Sequence, residues 1–575
     1  MNKMKDFQTK VFSGRPAAQG IGIGKVWQLR EQETTVHPRK ISESEIEENI
    51  EKFLNARELV NSEYEKLKYI PEDDDLEEII NAQIQALYDP EVTSSVKRKI
   101  EEEHFAVEYA IFNTLNDYIQ LMENSGSSWA RDRTIDIVSI RDELIRATKE
   151  KRKGYSVKEG EIVFAGEISP TAMVQLSRIK IAGIVIEKGG LTSHAVILSQ
   201  SLGIPCVINV HCNRYNIHDG SDVIIDGTTG QVIINPSWKQ KEEYKRRRED
   251  EKKRFEKALE WANKPNKTTC GVEFTLRANI EFLEELPRLN THGATGVGLL
   301  RTETVLFDTN EFDVDKQVKF YSKVLEASNG NSVTIRLFDA GGDKLLDDSD
   351  FEDNPFLGWR GVRMLLDKKK FLKNQIEAIF RVSGEFEKKV KILIPMVSRM
   401  QEIRSVKRMI QQVKEKLSKE NIPLDENIEL GVMVEVPSIA LMAEQVAKHV
   451  DFFSIGTNDL TQYTLAVDRG NEKISHLFDS FHPSIWKLIK MTKDAAEKQN
   501  IPVTICGEMA SKPEAAACLL GLGINDLSMN TGSIPAVKSV LCSHSFKEMH
   551  ELSEQVLQAE DLNKVHQLLD GWRVL

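Results

Sequence analysis

The sequence of 575 residues has few of the features that mark secreted, membrane-spanning or metal-clustered proteins. It contains 6 cysteines, with no CxxC pair and no histidine spacing that would close a tetrahedral zinc site, so we expect reduced thiols. The first ten residues lack the apolar core of a signal peptide, and nowhere do about 18 apolar residues run together. We therefore expect a cytoplasmic protein without membrane insertion.

Positive charge is in deficit as well. Lysine and arginine number 77 against 89 aspartates and glutamates, which gives a net charge of −12. An acidic chain disfavours nonspecific binding to polyanions, so no nucleic-acid partner is expected. Hydrophobic residues at 40% and charged residues at 29% are ordinary for globular proteins, and the length predicts three or four domains at roughly 150 residues each.

The texture of the sequence changes along the chain. Residues 42–123 place apolar residues at intervals of three and four among many charges, which predicts helices. Short Val/Ile runs broken by glycine follow from about residue 155, and residues 11–28 match that β-rich texture, so the helical block is interpreted as an insertion. The predicted domains are an α/β domain of residues 1–29 and 146–238, a helical domain of residues 30–145, a connecting helix of residues 239–264, and a third domain of residues 265–575.

The third domain alternates short apolar strands with amphipathic helical stretches. Eight such strands in about 310 residues predict a (β/α)8 barrel, and the chain as a whole is predicted to be an α/β multidomain protein. The predicted strands are Thr275–Ile280, Thr295–Leu300, Val333–Phe338, Lys391–Met396, Leu430–Val436, Phe452–Ile455, Pro502–Cys506 and Asp526–Met529.

Polar side chains gather at the ends of these strands, where a barrel of this kind carries its active site. Guanidinium groups grip phosphate and carboxylate in a bidentate way, so these side chains predict a site for a small anion such as a phosphorylated carboxylic acid. A single strand-end arginine more often forms a structural ion pair, and only the coincidence of so many polar groups at strand ends favours binding. The predicted anion ligands are Arg301, Arg336, Lys344, Arg360, Asn458 and Arg469.

Two carboxylates and a thiol complete the predicted mouth of the barrel. Glu435 and Asp459 supply hard oxygen ligands that suit Mg²⁺, with substrate oxygens and water completing its coordination. Cys506 ends an apolar run, which is typical of a buried small hydrophobe. Its place at the mouth makes proton chemistry an equal alternative.

A histidine in the first half of the chain lies in a sequence context that suits the binding of a phosphoryl group. His194 follows Gly189-Gly190 and the cap residue Thr192, so it falls in the first turn of a predicted helix. Free backbone N–H groups there favour a neutral imidazole and would stabilise a phosphoryl group on it. The alternative is a histidine that is merely close to a helix cap. Ser169, before Pro170, could contribute a hydroxyl or could simply cap its own helix.

These motifs resemble a known family. Four segments closely resemble the Enzyme I family of the bacterial sugar phosphotransferase system, the phosphoenolpyruvate-protein phosphotransferases. These segments are Gly189 to His194, Gly298 to Glu303, Asn354 to Arg360 and Phe453 to Tyr463. The resemblance is nearly full length. It implies a swivelling phosphohistidine domain, an inserted helical domain that docks the phosphocarrier protein HPr, and a TIM barrel that binds phosphoenolpyruvate and forms a homodimer.

The resemblance also implies roles for individual residues. His194 would accept the phosphoryl group of phosphoenolpyruvate, with Ser169 and Thr192 beside it, and pass it to a histidine of HPr. Glu435 and Asp459 would hold Mg²⁺, and Cys506 would protonate the enolate to release pyruvate. The phosphoryl group would be bound by Arg301, Arg336, Asn458 and Arg469, with Arg360 in the same site.

The chain departs from the family pattern at a few positions. Leu337 stands where the family usually has threonine, Ala340 replaces a larger aliphatic residue, and Ala18-Gln19 replaces Ser-Pro near the N-terminus. None of these changes removes a group with an implied chemical role. They are expected to affect rates rather than the type of reaction.

Three alternatives compete with this interpretation. A dikinase such as pyruvate phosphate dikinase or phosphoenolpyruvate synthase shares the histidine domain and the barrel, but it needs an ATP-binding module for which no span is left. A non-catalytic regulator should have lost at least one member of the site. A nitrogen-related signalling version usually has a preceding sensory domain, and the β-rich segment here begins by about residue 11.

Overall fold

The computed structural model divides the chain into two compact units, residues 1–252 and residues 253–575. The described residues are 9–29, 36–68, 84–123, 128–148, 157–166, 168, 172–173, 176, 179–187, 195–196, 199, 203–210, 217–281, 283–303, 313–339, 354, 356–386, 389–468, 474 and 477–572.

The first unit contains an eight-stranded mixed sheet in the order β1-β8-β7-β3-β4-β5-β6-β2. Strands β4, β5 and β6 are buried along their whole length, which explains their unbroken Val/Ile runs. The strands are β1 Lys10–Ser13, β2 Arg15–Ala18, β3 Ile21–Gln28, β4 Ile162–Ala165, β5 Gly183–Ile186, β6 Cys206–Ile208, β7 Asp222–Asp226 and β8 Gln231–Ile234.

The sheet contains a hairpin formed by β7 and β8. Strands β7 and β8 pair in antiparallel fashion across the turn that follows Asp226. The Asp226 carboxylate accepts hydrogen bonds from the backbone N–H groups of Thr228 and Thr229. The turn closes at Gly230, whose φ of 76° is accessible to glycine at little cost, and a Cβ there would lie 2.2 Å from the carbonyl oxygen of Gly14.

Four longer helices lie in the described part of the chain between β3 and β4, and those two strands pair directly with each other. A capping box joins Ser42 to Glu45, and the first helix then begins at Ile46, close to the predicted start at residue 42. The helices are α1 Ile46–Lys68, α2 Pro90–Glu101, α3 Val107–Glu123 and α4 Ser128–Ala147. The pairing of β3 with β4, which flank the helical segment in sequence, is the topology expected when a domain is inserted into another. The boundaries of the helical domain at residues 30 and 145 stay a prediction.

The charged segment after the sheet forms helix α5, Trp238–Leu259. The sequence predicts this helix over residues 239–264. In the structure its C-terminal end lies five residues earlier, at Leu259. Its first half lies on the hairpin of the first unit: Arg247 pairs with the buried Asp226 at 3.1 Å, and the hydroxyl of Tyr244 donates to Gln231 at 3.1 Å.

The second unit contains the predicted barrel. Eight parallel strands close in chain order, with β16 pairing to β9. They are β9 Thr275–Ile280, β10 Val297–Leu300, β11 Val333–Arg336, β12 Val390–Ile394, β13 Glu429–Val434, β14 Phe452–Ile455, β15 Val503–Ile505 and β16 Asp526–Met529.

Each predicted strand coincides with an observed strand, and the differences lie at strand ends. Strand β10 begins at Val297 rather than Thr295, because Gly296 has a φ of 99° that interrupts the extended backbone. Strand β11 ends at Arg336, although Leu337 and Phe338 are fully buried. An apolar run therefore indicates burial rather than strand pairing. At the mouth of the barrel, buried residues continue beyond the last residue of the strand.

Helices surround the barrel, and their apolar faces join its strands in one large core. No described helix is both long enough and apolar enough to cross a membrane. The five cysteines in the described part of the chain are all free. The helices are α6 Pro287–Thr291, α7 Val314–Ala327, α8 Val362–Asp367, α9 Lys369–Ser383, α10 Met400–Lys419, α11 Pro437–Leu441, α12 Ala443–Ala447, α13 Thr457–Leu465, α14 Pro483–Gln499, α15 Pro513–Gly521, α16 Ile534–Ser543, α17 Phe546–Leu557 and α18 Leu562–Asp570.

Candidate active site at the carboxyl ends of the barrel strands

The barrel gathers the predicted strand-end side chains at one face, because all eight strands are parallel. Arg301 follows β10, Arg336 ends β11, Glu435 follows β13 and Cys506 follows β15. The remaining described members lie in loops or in a first helical turn of the same face: Arg360 before α8, and Asn458 and Asp459 at the start of α13.

Arg336 is held by two carboxylates that the sequence did not predict as partners. Its Nη2 lies 2.8 Å from Glu303 Oε1 and its Nη1 lies 3.3 Å from Asp339 Oδ2. Glu303 Oε1 also accepts a hydrogen bond from the backbone N–H of Asp339 at 2.9 Å. Burial alone would lower the pKa of Arg336, but the charges of Glu303 and Asp339 outweigh it, and the net pKa is raised. The guanidinium therefore stays positively charged, and its two carboxylate partners hold it in one position.

Arg360 shares the carboxylate of Asp339 in a bidentate pair. Its Nε lies 3.0 Å from Oδ1 and its Nη2 lies 2.7 Å from Oδ2. Asp339 therefore bridges two arginines, and its side chain is 1% exposed. The turn behind Arg360 needs glycine, because Gly361 has a φ of 56° and a Cβ there would lie 3.0 Å from Asp339 Oδ1.

Arg301 lies at the rim of the same mouth. Its Nη1 is 2.8 Å from Glu281 Oε2, and its side chain is 38% exposed. The Nε atom is buried and has no hydrogen-bond partner among the described residues. An arginine with an unpaired buried donor can bind an additional anion.

Glu435 and Asp459 lie where a cation would be stabilised. Glu435 is 1% exposed, and its Oε1 accepts a hydrogen bond from the backbone N–H of Met396. Burial raises the pKa of Glu435 to about 8, with further contributions from the charges of Asp339 and Asp459 and an opposing one from Arg336. Asp459 Oδ1 is buried without a hydrogen-bond partner in the described part of the chain.

These two carboxylates fit Mg²⁺ by the chemistry of their oxygens, since a divalent cation would satisfy the unpaired Oδ1 and relieve the repulsion that acts on Glu435. The described residues contain no group of three or more His, Cys, Asp or Glu side chains placed to hold a metal. A metal at Glu435 and Asp459 would thus take further oxygens from substrate and water, as the sequence predicts.

Cys506 directly follows β15 at this face of the barrel. It is 3% exposed and packs with Leu299, Leu393, Met433 and Phe452. Burial raises the pKa of its thiol to about 11. The charges of Glu435, Arg336 and Arg301 act on the same thiol, which places it among the site residues. The burial expected of a small apolar side chain is thus observed, and a role of Cys506 in proton chemistry stays a prediction.

Asn458 connects two strand ends. Its Nδ2 donates to Glu508 Oε1 at 3.0 Å, and its Oδ1 accepts from the backbone N–H of Glu508 at 3.0 Å. This amide-to-loop pairing fixes the start of α13 against the loop after β15. It thereby orients Asp459 in the next position.

Five predicted site residues lie outside the described residues: Ser169, Thr192, His194, Lys344 and Arg469. The positions that follow His194 do conform to the predicted helix, since Ala195, Val196 and Ser199 are helical and buried. The roles of the five residues stay predictions.

Sequence reasoning missed the anionic partners of the arginines. Glu281, Glu303 and Asp339 each follow a strand end by one to three positions, which was a visible signal. Their pairing across strands depends on barrel closure and could not be read from spacing alone.

Family models of PEP-utilising enzymes match three parts of the chain. A family model described as the PEP-binding domain of PEP-utilising enzymes matches residues 256–546. The mobile-domain model of these enzymes matches residues 157–230, and their N-terminal model matches residues 13–133. Among solved structures, the NMR structure of Enzyme I (nEIt) has 28% identity and a TM-score of 0.36, and the match covers 42% of this chain and 99% of that chain.

Two similar relatives carry one name. The phosphoenolpyruvate-protein phosphotransferase of Bacillus subtilis (strain 168) is 35% identical over 566 residues, which is 96% of this chain and 98% of the relative. The protein of that name from Staphylococcus carnosus (strain TM300) is 33% identical over 571 residues, 98% of this chain and 99% of the relative. The resemblance seen in the motifs is thus confirmed, and the chain belongs to the phosphoenolpyruvate-protein phosphotransferase family of PEP-utilising enzymes.

Proposed function

We propose that the chain transfers the phosphoryl group of phosphoenolpyruvate to its own His194 and then to a histidine of the phosphocarrier protein HPr, releasing pyruvate as the first step of sugar uptake. The relatives that match along nearly their whole length are named phosphoenolpyruvate-protein phosphotransferases. This disfavours the dikinase alternative. The observation that carries the proposal is geometric: Arg336 and Arg360, both held by Asp339, lie at the same end of the barrel as two buried carboxylates and a buried thiol, those of Glu435, Asp459 and Cys506.

The arginines bind the donor. Arg336 and Arg360 are held in place by Asp339 before any ligand arrives, so little rearrangement is needed to receive phosphate and carboxylate oxygens. Arg301 offers an unpaired Nε at the rim. Arg469, Lys344 and Asn458 are assigned to the same anion.

In the first step, the phosphoryl group moves from the bound donor to His194. A neutral ring nitrogen of His194 attacks phosphorus, the bridging P–O bond breaks, and its electron pair stays on the oxygen of enolpyruvate. Mg²⁺ held by Glu435 and Asp459 would neutralise negative charge on the donor's oxygens. Ser169 and Thr192 are assigned to support the phosphorylated ring.

Cys506 completes the reaction. The thiol gives its proton to the terminal carbon of enolpyruvate, which becomes the methyl group of pyruvate, and the thiolate regains a proton from solvent. A pKa of about 11 keeps the sulfur protonated at neutral pH, as an acid requires.

The second transfer needs the phosphohistidine domain to swing from the barrel to the carrier. We assign docking of HPr to the helical domain of residues 30–145, whose acidic excess suits a basic partner surface. The connecting helix is the place for the hinge.

A homodimer through the barrel domain is part of the proposal, as is a cytoplasmic location. Its support is a set of large apolar side chains left exposed on neighbouring barrel helices. Leu441 is 64% exposed, Met442 39% and Met491 44%. Sedimentation at two concentrations would measure the dimer.

Labelling with radioactive phosphoenolpyruvate and Mg²⁺ tests the function. The wild-type chain should acquire acid-labile label and pass it to HPr, and His194→Ala should acquire none. His218→Ala is the matched control, because His218 is an exposed histidine of the same unit. Equal labelling of wild type and His194→Ala would refute the assignment.

A further inference from the structure

A buried glutamine lies behind the candidate site. Gln375 belongs to α9, Lys369–Ser383, and occupies the apolar face of that helix together with Leu372, Ile376 and Ile379. All four side chains are completely buried. A buried amide is costly unless its hydrogen bonds are satisfied, so its partners show what holds it there.

Those partners are the ends of two barrel strands. Gln375 Oε1 accepts a hydrogen bond from the backbone N–H of Phe338 at 3.0 Å. Its Nε2 lies 3.3 Å from the carbonyl oxygen of Arg336 and 3.1 Å from Thr302 Oγ1. The hydroxyl of Tyr321, at 3.3 Å, is a third acceptor near the same nitrogen.

Thr302 reinforces this connection. Its hydroxyl donates to the carbonyl oxygen of Arg336 at 3.0 Å, so that carbonyl is approached by both Gln375 and Thr302. Thr302 follows the end of β10, and Arg336 is the last residue of β11. One side chain on a helix outside the barrel thus joins the two strand ends from behind.

The same two segments carry the anion-binding groups on their front side. The Arg336 guanidinium lies 2.8 Å from Glu303, the residue after Thr302. Glu303 also accepts from the backbone N–H of Asp339, the residue after Phe338. A shift of the backbone at Arg336 or Phe338 would therefore move the guanidinium and its carboxylate partners together.

We propose that Gln375 is a positioning residue for phosphoenolpyruvate binding, acting through the backbone of Arg336 and Phe338 to fix the guanidinium of Arg336. The proposal rests on the proposed function of the barrel site. An amide suits the task because it donates and accepts on one planar group, and both roles are used here. An apolar side chain of equal length leaves a buried N–H unpaired and frees the strand end to shift, and small displacements of binding groups have large effects on catalysis.

The experiment compares Gln375→Met with Gln317→Met in the full chain. Gln317 is a matched control, because it is 1% exposed and its described hydrogen bond comes from Tyr321 rather than from a strand end. Gln375→Met should raise the KM for phosphoenolpyruvate in pyruvate release about tenfold, and Gln317→Met should leave it within about twofold of wild type. Transfer from the phosphorylated protein to HPr should be unchanged in both variants, which a general loss of structure would not allow.

Equal KM values for the two variants would overturn the proposal, as would equal losses in both half-reactions. If Gln375→Met does not fold, Thr302→Val decides, since it removes the second hydrogen bond to the Arg336 carbonyl with little change in shape. That variant should raise the KM about threefold, and an unchanged KM counts against the proposal. A wild-type chain that releases no pyruvate from phosphoenolpyruvate would refute the proposed function and the positioning role with it, whereas an active wild type with an unaffected Gln375→Met refutes the positioning role alone.

Discussion

Replacing Cys506 by alanine isolates the proton-transfer step from the binding of phosphoenolpyruvate. The sulfur is 3% exposed among Leu299, Leu393, Met433 and Phe452. Burial raises the pKa of the thiol to about 11, so at pH 7.5 nearly all of the thiol is protonated. The acid form is therefore present throughout the neutral range and is lost only as pH rises through about 11, which predicts no loss of pyruvate formation from this group up to about pH 10.

The expected effect is large on rate and small on stability. A positioned general acid contributes about 10²–10⁴-fold, or about 3–5 kcal/mol of barrier, to the step it serves. Removing one buried sulfur atom leaves a small cavity that costs about 1 kcal/mol of folding free energy. Cys506→Ala should thus remain folded while forming pyruvate at least about 100-fold more slowly.

The assay follows pyruvate with a coupled dehydrogenase and the entry of solvent deuterium into its methyl group. Cys518→Ala is the matched control, because Cys518 is a fully buried barrel cysteine on α15 outside the mouth. The control should keep the wild-type rate. If Cys506→Ala forms pyruvate as fast as Cys518→Ala, the thiol is not the acid, and its place in the barrel is a matter of packing alone.

Three further substitutions address the metal, the arginines and the connecting helix. Asp459→Asn should raise the Mg²⁺ concentration needed for half-maximal activity at least about tenfold, measured by metal titration, because it weakens the oxygen left unpaired at the mouth. Arg360→Lys should raise the KM for phosphoenolpyruvate about tenfold, because lysine cannot reproduce the bidentate pair with Asp339. Asp226→Asn should weaken the pair with Arg247, costing about 1–3 kcal/mol, and hydrogen exchange should become faster in the first half of α5 and not in α14.

The barrel could be predicted from the sequence because a strand buried on both sides needs an apolar run, and eight such runs separated by amphipathic helices leave few other architectures. Burial does not mark where pairing stops. Leu337 and Phe338 are as buried as the strand before them, so the strand predicted from the sequence extends beyond Arg336, where β11 ends. The same run conceals the turn of the backbone that brings Phe338 to Gln375.

The placement of individual side chains at the mouth of the barrel was predictable where position along a strand was enough. Arg336, Glu435 and Cys506 follow from the rule that barrel function lies at the carboxyl ends of strands. Their carboxylate partners could not be predicted, because Arg360 and Asp339 lie 21 residues apart and no local sequence pattern indicates that they pair. The role of Gln375 was equally hidden, since one polar residue on an apolar helix face shows its purpose only when its hydrogen-bond partners are known.

The charge balance of the mouth changes the interpretation of its arginines. The sequence suggested a cationic patch within an acidic protein, but each described arginine is paired with carboxylate. The three described arginines of the mouth are outnumbered by the acidic side chains around them: Arg301, Arg336 and Arg360 against Glu281, Glu303, Asp339, Glu435, Asp459 and Glu508. A multiply charged anion is therefore not attracted there by net charge. Its binding depends on oriented donors and on added cations, for which Mg²⁺, Lys344 and Arg469 are the proposed sources. On this reasoning metal and donor bind interdependently, and weakening the metal site should weaken the hold on phosphoenolpyruvate as well.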